Sequence, residues 1–460
     1  MGIATSAGRL TCGPRVGRRR AALLGLALGC APLLASAQES GEFPPAREDQ
    51  VTLTNWLEAP HSRWGFRNVG ILPSLMVPRD GEVHVLPRKP DASIEALPFR
   101  HADEETHLLE AIGNDAVDGI LVLHGGTVVY ERYFGDFGPK DHHLWASCTK
   151  SLVSMALGIL VEEGRVDPDS SVSAILPELT ESGFGRVTIR HLLDMTSALD
   201  YVEDYVGRDL ASTTVQYFRR MGFLPAPDLI ALDPLTDATP RGILRFLPGI
   251  GANPDLEPGT IFDYQSPNVD VIGWIISRVS GQSLERFVAN RIWAKLGAEH
   301  DAFFATDNEF VPIATGGFST TLRDAARFGL AVSTGGTLGG VRIFPESWLE
   351  DTLSVDQADL DATSRSVYRE AGNAAYDREL EAYRNFWWIL DAAQGEMMAR
   401  GVFGQSIYIH RDHQVVIALF SSAPSASNAR RENYKKVLRG LRALGARLGV
   451  PTLPPPRTRT

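Results

Sequence analysis

Cysteine is scarce in this sequence. Three cysteines occur in 460 residues, and Cys12 and Cys30 both lie near the amino terminus. If residues 1–37 are removed on export, only Cys148 remains, and a single thiol cannot form an intramolecular disulfide. The fold must then be stable through its hydrophobic core alone, and a chain of this length can bury one large core or two lobes.

Positive charge is also in short supply. The chain carries 45 Lys and Arg residues against 56 Asp and Glu residues, a net charge of −11. Residues 1–37 contain five arginines and no acidic residue, so their removal takes the net charge to −16. This acidic balance argues against a nucleic-acid partner, because such partners select a basic surface.

Beyond the amino terminus, the sequence has no apolar stretch long enough to span a membrane. A basic region precedes the stretch AALLGLALGCAPLLA, and the small residues of ASAQ follow it. The basic residues are Arg15, Arg18, Arg19 and Arg20. This order is typical of a signal peptide cleaved after Ala37, and the apolar stretch is too short for a transmembrane helix. The sequence therefore predicts a signal peptide over residues 1–37, an exported chain that is periplasmic or secreted, and no membrane span in the mature protein.

The leader leaves the export route open. RRRAALLG resembles a twin-arginine signal only weakly. LALGC is a poor lipoprotein site because Ala27 stands where a leucine is usual, so anchoring at Cys30 is disfavoured. Residues 38–50 are predicted to form a linker, and residues 451–460 a proline-rich tail.

Several catalytic and ligand motifs are missing. The sequence has no G-x-S-x-G nucleophile elbow and no H-E-x-x-H zinc motif. GIGANP is not a dinucleotide loop, since Pro254 takes the place of the third glycine. His410 and His413 fit surface positions of a strand or turn better than metal ligands, and His142 and His143 fit a structural or loop role. The sequence therefore predicts no metal and no organic cofactor.

The clearest secondary structure lies near the two ends of the chain. DGILVLHGGTVVYERYF predicts a hairpin around Gly125-Gly126, and GQSIYIHRDHQVVIALFSSA predicts a second hairpin. We therefore expect an α+β fold, with an antiparallel sheet built from both ends, flanking helices and a mostly helical lobe inserted at about residues 166–310. The main domain is expected over residues 106–450. Residues 51–105 should form an amino-terminal segment that wraps around it, and TNWLEAPHSRWGFRNVGILP at residues 54–73 should have no regular structure.

Helices are expected between the hairpins. Leu152–Val161 is almost wholly apolar, which predicts a buried central helix rather than a surface helix. Thr188 should cap a short helix, and Gly281 should separate two further helices. Ser319 or Thr320 should cap another helix, and a last helix is expected in RENYKKVLRGLRALGARLGV.

Ser147 and Lys150 begin the central helix with the spacing S-x-x-K. Two residues three apart lie on one face of a helix, one turn from each other. A serine at a helix amino terminus is favoured for developing negative charge, and a desolvated lysine has a lowered pKa and can accept the serine proton. The same pair could equally be a helix cap beside a solvated lysine.

Longer motifs around this pair carry a resemblance. The pair is followed by EEGRVDP, by VTIRHLLDMTS and by EPGTIFDYQSPNVDVIGWIISRVSG. Over residues 50–445 the chain resembles the serine hydrolases of the class C β-lactamase superfamily, most closely the nylon-oligomer amidases. That resemblance implies a β-lactamase/DD-peptidase-like fold.

The resemblance also implies roles for individual residues. Ser147 matches the nucleophile, and Lys150 and Tyr264 match the pair that takes and returns its proton. Asn268 would orient that network and contact the substrate, although an Asn before a helix can also be a cap. Tyr264 could instead be a core aromatic residue. Tyr205 matches a tyrosine that contacts the substrate amide, although it could be a packed loop residue.

The third motif of the superfamily falls in ARGVFGQSIYI. The match makes the backbone N–H of Val402, with that of Ser147, the oxyanion hole, and places Gly401 and Phe403 against the substrate. Glycines at 401 and 404 fit a strand that a substrate approaches closely. The usual K-T-G triplet is absent, which puts efficient β-lactamase activity in doubt.

The function expected from the sequence is hydrolysis of a small amide or ester through an acyl-enzyme on Ser147. One alternative is a β-lactamase or DD-peptidase acting on β-lactams or cell-wall peptides. Another is a non-catalytic sensor of penicillin-type ligands. The physiological substrate and the oligomeric state cannot be derived from the sequence.

Overall fold

The computed structural model describes residues 46–113, 116–205, 209–222, 242–366, 380–426 and 432–449. The chain forms two compact units, residues 1–49 and 50–460. Of the first unit only residues 46–49 are described, with a 3-10 turn at Arg47–Asp49. The expected signal peptide, most of the expected linker and the expected tail therefore lie outside the described residues.

The strands are numbered in chain order, and most are short. They are β1 Ser74–Val77, β2 Pro98–His101, β3 Glu104–His107, β4 Val117–His124, β5 Thr127–Tyr133, β6 His143–Leu144, β7 Ala302–Ala305, β8 Phe318–Thr320, β9 Thr337–Leu338, β10 Val341–Arg342, β11 Ala382–Arg384, β12 Trp387–Asp391, β13 Glu396–Gly401, β14 Gln405–His410 and β15 Val415–Ser421.

The α-helices fall mainly between β5 and β11. They are α1 Ser62–Gly65, α2 Leu108–Gly113, α3 Thr149–Glu162, α4 Val172–Ile175, α5 Ile189–Leu193, α6 Thr213–Met221, α7 Ile243–Phe246, α8 Pro267–Ser280, α9 Leu284–Val288, α10 Ala294–Leu296, α11 Leu322–Ser333, α12 Glu346–Leu353, α13 Gln357–Ser364 and α14 Glu432–Gly449. A π-helical turn at Ala289–Trp293 joins α9 to α10.

The main sheet is antiparallel and has seven strands in the order β11-β12-β13-β14-β15-β4-β5. Both expected hairpins are present in it, β4–β5 and β14–β15. They lie side by side, with Val415 paired to His124. Gly125 and Gly126 both have positive φ, which the tight turn between β4 and β5 requires. The predicted sheet built from both ends of the chain is therefore confirmed.

Helices cover this sheet. Helix α11 packs on β4, β14 and β15, and α14 packs on β15, on β2 and on α2. A Cβ atom at Gly329 of α11 would lie 2.6 Å from Val416 and 3.0 Å from Ile407, so this glycine lets the helix approach the sheet closely. The hairpin β2–β3 and helix α2 thus tie the amino-terminal segment to the last helix.

Helix α3 is the buried centre of the fold, as its apolar sequence predicts. Every residue from Thr149 to Leu160 is buried, and the helix packs against α8 and α12. Gly158 faces the indole of Trp348 so closely that a Cβ atom there would overlap the ring. Gly164, with φ of +66°, follows the end of the helix. This burial surrounds Lys150 with protein on all sides.

The amino-terminal segment contains three strands that the sequence analysis did not predict. Residues 54–73, where no regular structure was expected, hold the one-turn helix α1 and a 3-10 turn at Val69–Ile71. Further along, β1 pairs with β7 in a second sheet of order β1-β7-β8-β6, and β2 pairs with β3. These strands were missed because strands of four residues are too short to show an alternating pattern.

The helices between the two hairpins follow the predicted helix signals at two of three ends. Thr188 caps α5 through its side chain, and Gly281 ends α8 in a left-handed conformation, both as expected. The cap of α11 is Thr321, not Ser319 or Thr320, because those two residues belong to β8.

Within the described ranges, no helix combines the length and the apolarity that a bilayer crossing requires.

Of the two histidines predicted at the surface, His410 is buried. His410 lies in β14, is 4% exposed and stacks on His413 with ring centroids 3.7 Å apart. The prediction was wrong for His410 because β14 is buried along its whole length. His143 has the expected structural role, since it is buried between Phe420 and Asp118. No cluster of three or more potential metal ligands occurs among the described residues.

Candidate active site

Ser147 lies in a short 3-10 turn, Ala146–Cys148, between β6 and α3. The turn is held by Trp145, whose backbone N–H donates to Phe318 and whose indole N–H donates to Thr320 Oγ1 at 2.7 Å. Ala146 has a φ of +46°, a left-handed conformation that a residue other than glycine adopts only when its surroundings enforce it. Ser147 is partly exposed, while both of its neighbours in the turn are buried.

Lys150 lies one turn further on and is 1% exposed. Its Nζ donates to Ser266 Oγ at 3.1 Å, to Thr315 O at 2.7 Å and also to Thr315 Oγ1. These three acceptors match the three donors of an ammonium group. The solvated lysine of the alternative interpretation is therefore excluded, because this side chain is buried and fully hydrogen-bonded.

Burial also controls the charge of Lys150. Loss of solvent lowers the pKa of its amine to about 8, against the opposing influence of Glu203 and Asp270. Burial likewise raises the pKa of Asp270 to about 7. The Asp270 carboxyl accepts from the Thr315 N–H at 3.1 Å and from the Tyr217 hydroxyl. The segment that presents Thr315 to Lys150 is thus held by a second buried group.

Tyr264 is brought close to Lys150. The Lys150 Nζ lies 5.3 Å from the centroid of its ring. Tyr264 is 6% exposed, stacks on Trp388 at 5.6 Å and meets Tyr383 edge to face at 5.8 Å. Tyr383 is also hydrogen-bonded to Tyr264. Contacts on several sides hold the phenol in one orientation.

Ser266 is a site residue that the sequence analysis missed. It is 3% exposed and stands at the amino-terminal cap of α8, two residues after Tyr264. Its hydroxyl lies between Lys150 Nζ and Glu203, donating to Glu203 Oε1 at 2.7 Å. Its backbone N–H donates to Glu203 Oε2 at 3.0 Å. Its position two residues after the predicted catalytic tyrosine was the signal available in the sequence.

Asn268 was predicted to orient the proton network or to cap the helix. It is fully buried in the first turn of α8, and the cap position belongs to Ser266, so the cap interpretation is wrong. Its Oδ1 accepts from the Ser197 hydroxyl at 3.0 Å, and its Nδ2 lies 3.5 Å from Leu192 O and from Met195 Sδ. These contacts join α8 to the segment after α5, and its contact with the substrate stays a prediction.

The end of β13 lies against the turn that carries Ser147. A Cβ atom at Gly401 would lie 2.6 Å from the Trp145 carbonyl oxygen and 3.2 Å from Ala146 Cβ. Only glycine fits there without displacing backbone, so the close approach predicted at this position is made by the protein itself. Val402 follows immediately, and its N–H as part of an oxyanion hole stays a prediction.

Two further predicted residues have aromatic partners. Phe403, with a φ of +62°, packs on Phe66 at 4.9 Å. Tyr205 is partly buried and lies against Phe218 at 5.9 Å. The structure gives both residues a packing role, and their contact with a substrate stays a prediction.

Comparison with known proteins decides the family. A family model described as Beta-lactamase matches residues 114–441, most of the chain. The chain belongs to the beta-lactamase family. It is 33% identical over 390 residues to the 6-aminohexanoate-dimer hydrolase of Paenarthrobacter ureafaciens, covering 85% of this chain and 92% of that enzyme.

Solved structures agree with this assignment. A protein of Bacillus anthracis assigned as a 6-aminohexanoate-dimer hydrolase matches with a TM-score of 0.74 and 26% identity, over 88% of this chain and 98% of its own. A D-stereospecific amidohydrolase from Streptomyces has a TM-score of 0.51 and 20% identity, over 73% and 96% of the two chains, and shares the fold. The chain is therefore a hydrolase of the beta-lactamase fold.

This beta-lactamase family member has an arginine beside the third motif. Arg400 precedes Gly401 on β13, and its guanidinium lies 5.0 Å from the ring of Trp388 and 5.1 Å from that of Tyr434. Its Nε donates to the Tyr434 hydroxyl at 2.9 Å. Because Trp388 also stacks on Tyr264, Arg400 and α14 support the face of the indole behind the predicted catalytic tyrosine.

Proposed function

We propose that this protein hydrolyses a small amide or ester through an acyl-enzyme formed on Ser147. The observation that carries the proposal is the buried amine of Lys150, one helical turn from Ser147 and beside Tyr264, with a pKa lowered to about 8. Burying a lysine costs folding free energy, which favours a functional role for it. Lowered pKa values cluster at sites that move protons.

The reaction begins with attack of Ser147 Oγ on the substrate carbonyl. Lys150, in its neutral form and together with Tyr264, takes the hydroxyl proton and returns it to the departing amine or alcohol. The N–H groups of Ser147 and Val402 stabilise the tetrahedral oxyanion. Water then attacks the acyl carbonyl and the same pair takes its proton. The bond to Ser147 Oγ breaks, the pair returns the proton to Oγ, and the acid product leaves.

The pKa of Lys150 suits this role near neutral pH. With a pKa of about 8, about a tenth of the amine is neutral at pH 7, compared with less than a thousandth for an ordinary lysine. Tyr264, held beside Lys150, can relay the proton between the nucleophile and the leaving group.

An amide is the favoured substrate class. The relative that is 33% identical over most of the chain is named for a linear amide, the 6-aminohexanoate dimer. The expected signal peptide at residues 1–37 supports a further proposal, that the enzyme is exported and meets its substrate in the periplasm or outside the cell. A leader of that kind leaves the physiological substrate open.

The test is the initial rate of hydrolysis by protein purified from the full chain, beside Ser147→Ala. The substrates are a short-chain p-nitrophenyl ester, a linear 6-aminohexanoate dimer and a chromogenic cephalosporin. Ser173→Ala serves as a matched control, because Ser173 lies in the short helix α4 and its hydroxyl hydrogen-bonds to that of Ser171. We expect the ester or the amide to turn over in the wild type and the control, and Ser147→Ala to be inactive.

The other outcomes contradict parts of the proposal. Turnover of the cephalosporin alone would favour a β-lactamase, and a stable penicillin adduct without turnover would favour a ligand sensor. Full activity of Ser147→Ala would remove Ser147 from the reaction.

A further inference from the structure

Both carboxylate oxygens of Glu203 accept hydrogen bonds from a single residue, Ser266. Glu203 lies between α5 and α6, is partly buried, and accepts from the hydroxyl of Ser266 at 2.7 Å and from its backbone N–H at 3.0 Å. Ser266 Oγ in turn accepts from Lys150 Nζ at 3.1 Å. The three side chains form a continuous hydrogen-bonded path from the carboxylate to the amine.

The direction of that path is determined by Glu203. An ionised carboxylate can only accept, so the Ser266 hydroxyl must donate to it and turn its lone pairs toward Lys150. Thr315 O is likewise only an acceptor. When Lys150 is neutral, its two remaining N–H groups therefore point to Ser266 and to the Thr315 carbonyl oxygen, and its lone pair lies on the side of its third partner, the Thr315 hydroxyl.

Other charges near this path define its electrostatics. Glu203 and Asp270 favour the charged form of Lys150, and burial opposes them. Burial, with Glu203 as a second cause, raises the pKa of Asp263 to about 7. Tyr217 and Tyr383 are buried phenols whose pKa values are also raised, chiefly by burial and partly by Glu203. Glu203 is thus the carboxylate that all of these groups share.

We propose that Glu203 is a positioning residue that fixes the Ser266 hydroxyl as a hydrogen-bond acceptor for Lys150 and so directs the lone pair of that amine during catalysis. This inference rests on the proposed function. It differs from a purely structural role, in which Glu203 would only cap the amino terminus of α8.

Glu203→Gln separates the two roles. Its amide oxygen can still accept from the Ser266 N–H, so the helix cap survives. Its NH₂ group then faces the Ser266 hydroxyl and donates to it, which turns the serine proton toward Lys150. The variant also loses the negative charge that favours the lysine ammonium.

The measurement is the pH profile of kcat/KM for a p-nitrophenyl ester in the wild type, Glu203→Gln and Glu181→Gln. Activity should rise with pH as Lys150 loses its proton. In Glu203→Gln we expect that rise to move to lower pH by about one unit, with a lower plateau because the lone pair is misdirected. Glu181 is an exposed carboxylate, so its variant controls for the change in net charge. An unmoved rise in an active Glu203→Gln would overturn the proposal.

A second background tests the hydroxyl itself. In Ser266→Ala the path is broken, so adding Glu203→Gln should shift the rise by less than it does in the wild type. Equal shifts in both backgrounds would mean that Glu203 acts by charge alone, which contradicts the proposal.

Labelling of Ser147 by a fluorophosphonate provides the separate check of the proposed function. If the wild type is not labelled, the acyl-enzyme itself is wrong; if it is labelled but the profiles coincide, only the role of Glu203 is wrong.

Discussion

The amine of Lys150 donates to the hydroxyl of Ser266 at 3.1 Å, across the interface between helices α3 and α8. Both side chains are almost completely buried. The hydrogen bond joins the helix that follows the predicted nucleophile to the helix that follows the predicted catalytic tyrosine. The packing of α3 on α8 therefore sets the geometry of the proton path.

Replacing Lys150 by arginine should abolish the general-base function. A guanidinium stays protonated at every accessible pH, so it cannot take the proton of Ser147. We expect kcat/KM for an ester to fall by at least ~10²-fold in Lys150→Arg, and by a similar factor in the uncharged Lys150→Met. Steady-state kinetics beside circular dichroism of each variant checks this. A Lys150→Arg enzyme with near wild-type kcat would show that a fixed positive charge, rather than proton transfer, is what the site needs.

The indole of Trp388 should matter for catalysis through the orientation of Tyr264. It stacks on that tyrosine at 5.6 Å with an interplanar angle of 24°. Trp388→Phe keeps an aromatic face and should retain most activity, whereas Trp388→Leu should lower kcat by about tenfold through a mobile phenol. The Tyr264→Phe variant, which lacks the hydroxyl, sets the lower limit of activity. If Trp388→Leu has a normal kcat and only a lower melting temperature, the indole is merely a core residue.

Gly401→Ala should damage the predicted oxyanion hole. The new Cβ atom would lie 2.6 Å from the Trp145 carbonyl oxygen, too close for β13 to keep its place beside the nucleophile turn. We expect kcat to fall by about 10²-fold with a smaller change in KM, because the donor is needed most in the transition state. Gly70→Ala is the matched control, since a Cβ atom there meets nothing within 4 Å. Unchanged kinetics in Gly401→Ala would place the oxyanion donors elsewhere.

Strong local signals explain how much of the fold could be predicted. The apolar sequence of α3, the cap at Thr188 and the glycine pair between β4 and β5 each act within a few residues, and each was predicted correctly. The strand β1 and the cap of α11 depend instead on pairing partners far away in the chain. Thr321 is the cap because β7 pairs with β8, which takes up the two candidates before it.

The same distinction applies to the site. Ser147, Lys150 and Tyr264 stand in motifs that a single sequence displays, and the structure brings Lys150 and Tyr264 together. Glu203 and Ser266 meet only because a loop folds back onto the start of α8, 63 residues further along the chain. No periodicity or spacing in the sequence encodes that contact. The resemblance therefore gave Asn268 the role of orienting the proton network, and Ser266 was missed.

The stability of the fold should depend on pH through Asp194. Burial raises the pKa of this carboxyl to about 7, although its Oδ1 accepts from the Asn385 N–H at 2.9 Å. The two nearby arginines lie closer to Asp351 than to Asp194: Arg190 is 3.0 Å from Asp351 and 4.0 Å from Asp194, and Arg384 is 2.9 Å and 3.9 Å from them. Asp194 is therefore a neutral acid in the folded protein at mildly acidic pH.

The sign of the effect follows from linkage. Because the folded pKa lies above the unfolded value, the contribution of Asp194 to stability is fully present below about pH 4 and is lost as the pH rises through about 7. Asp194→Asn keeps the shape without the ionisation, so its free energy of unfolding should decline less between pH 5 and pH 8, by about 2 kcal/mol relative to the wild type. Urea denaturation of both proteins at the two pH values measures this difference. Parallel declines would show that Asp194 stays ionised in the fold, held by Arg190 and Arg384 despite its burial.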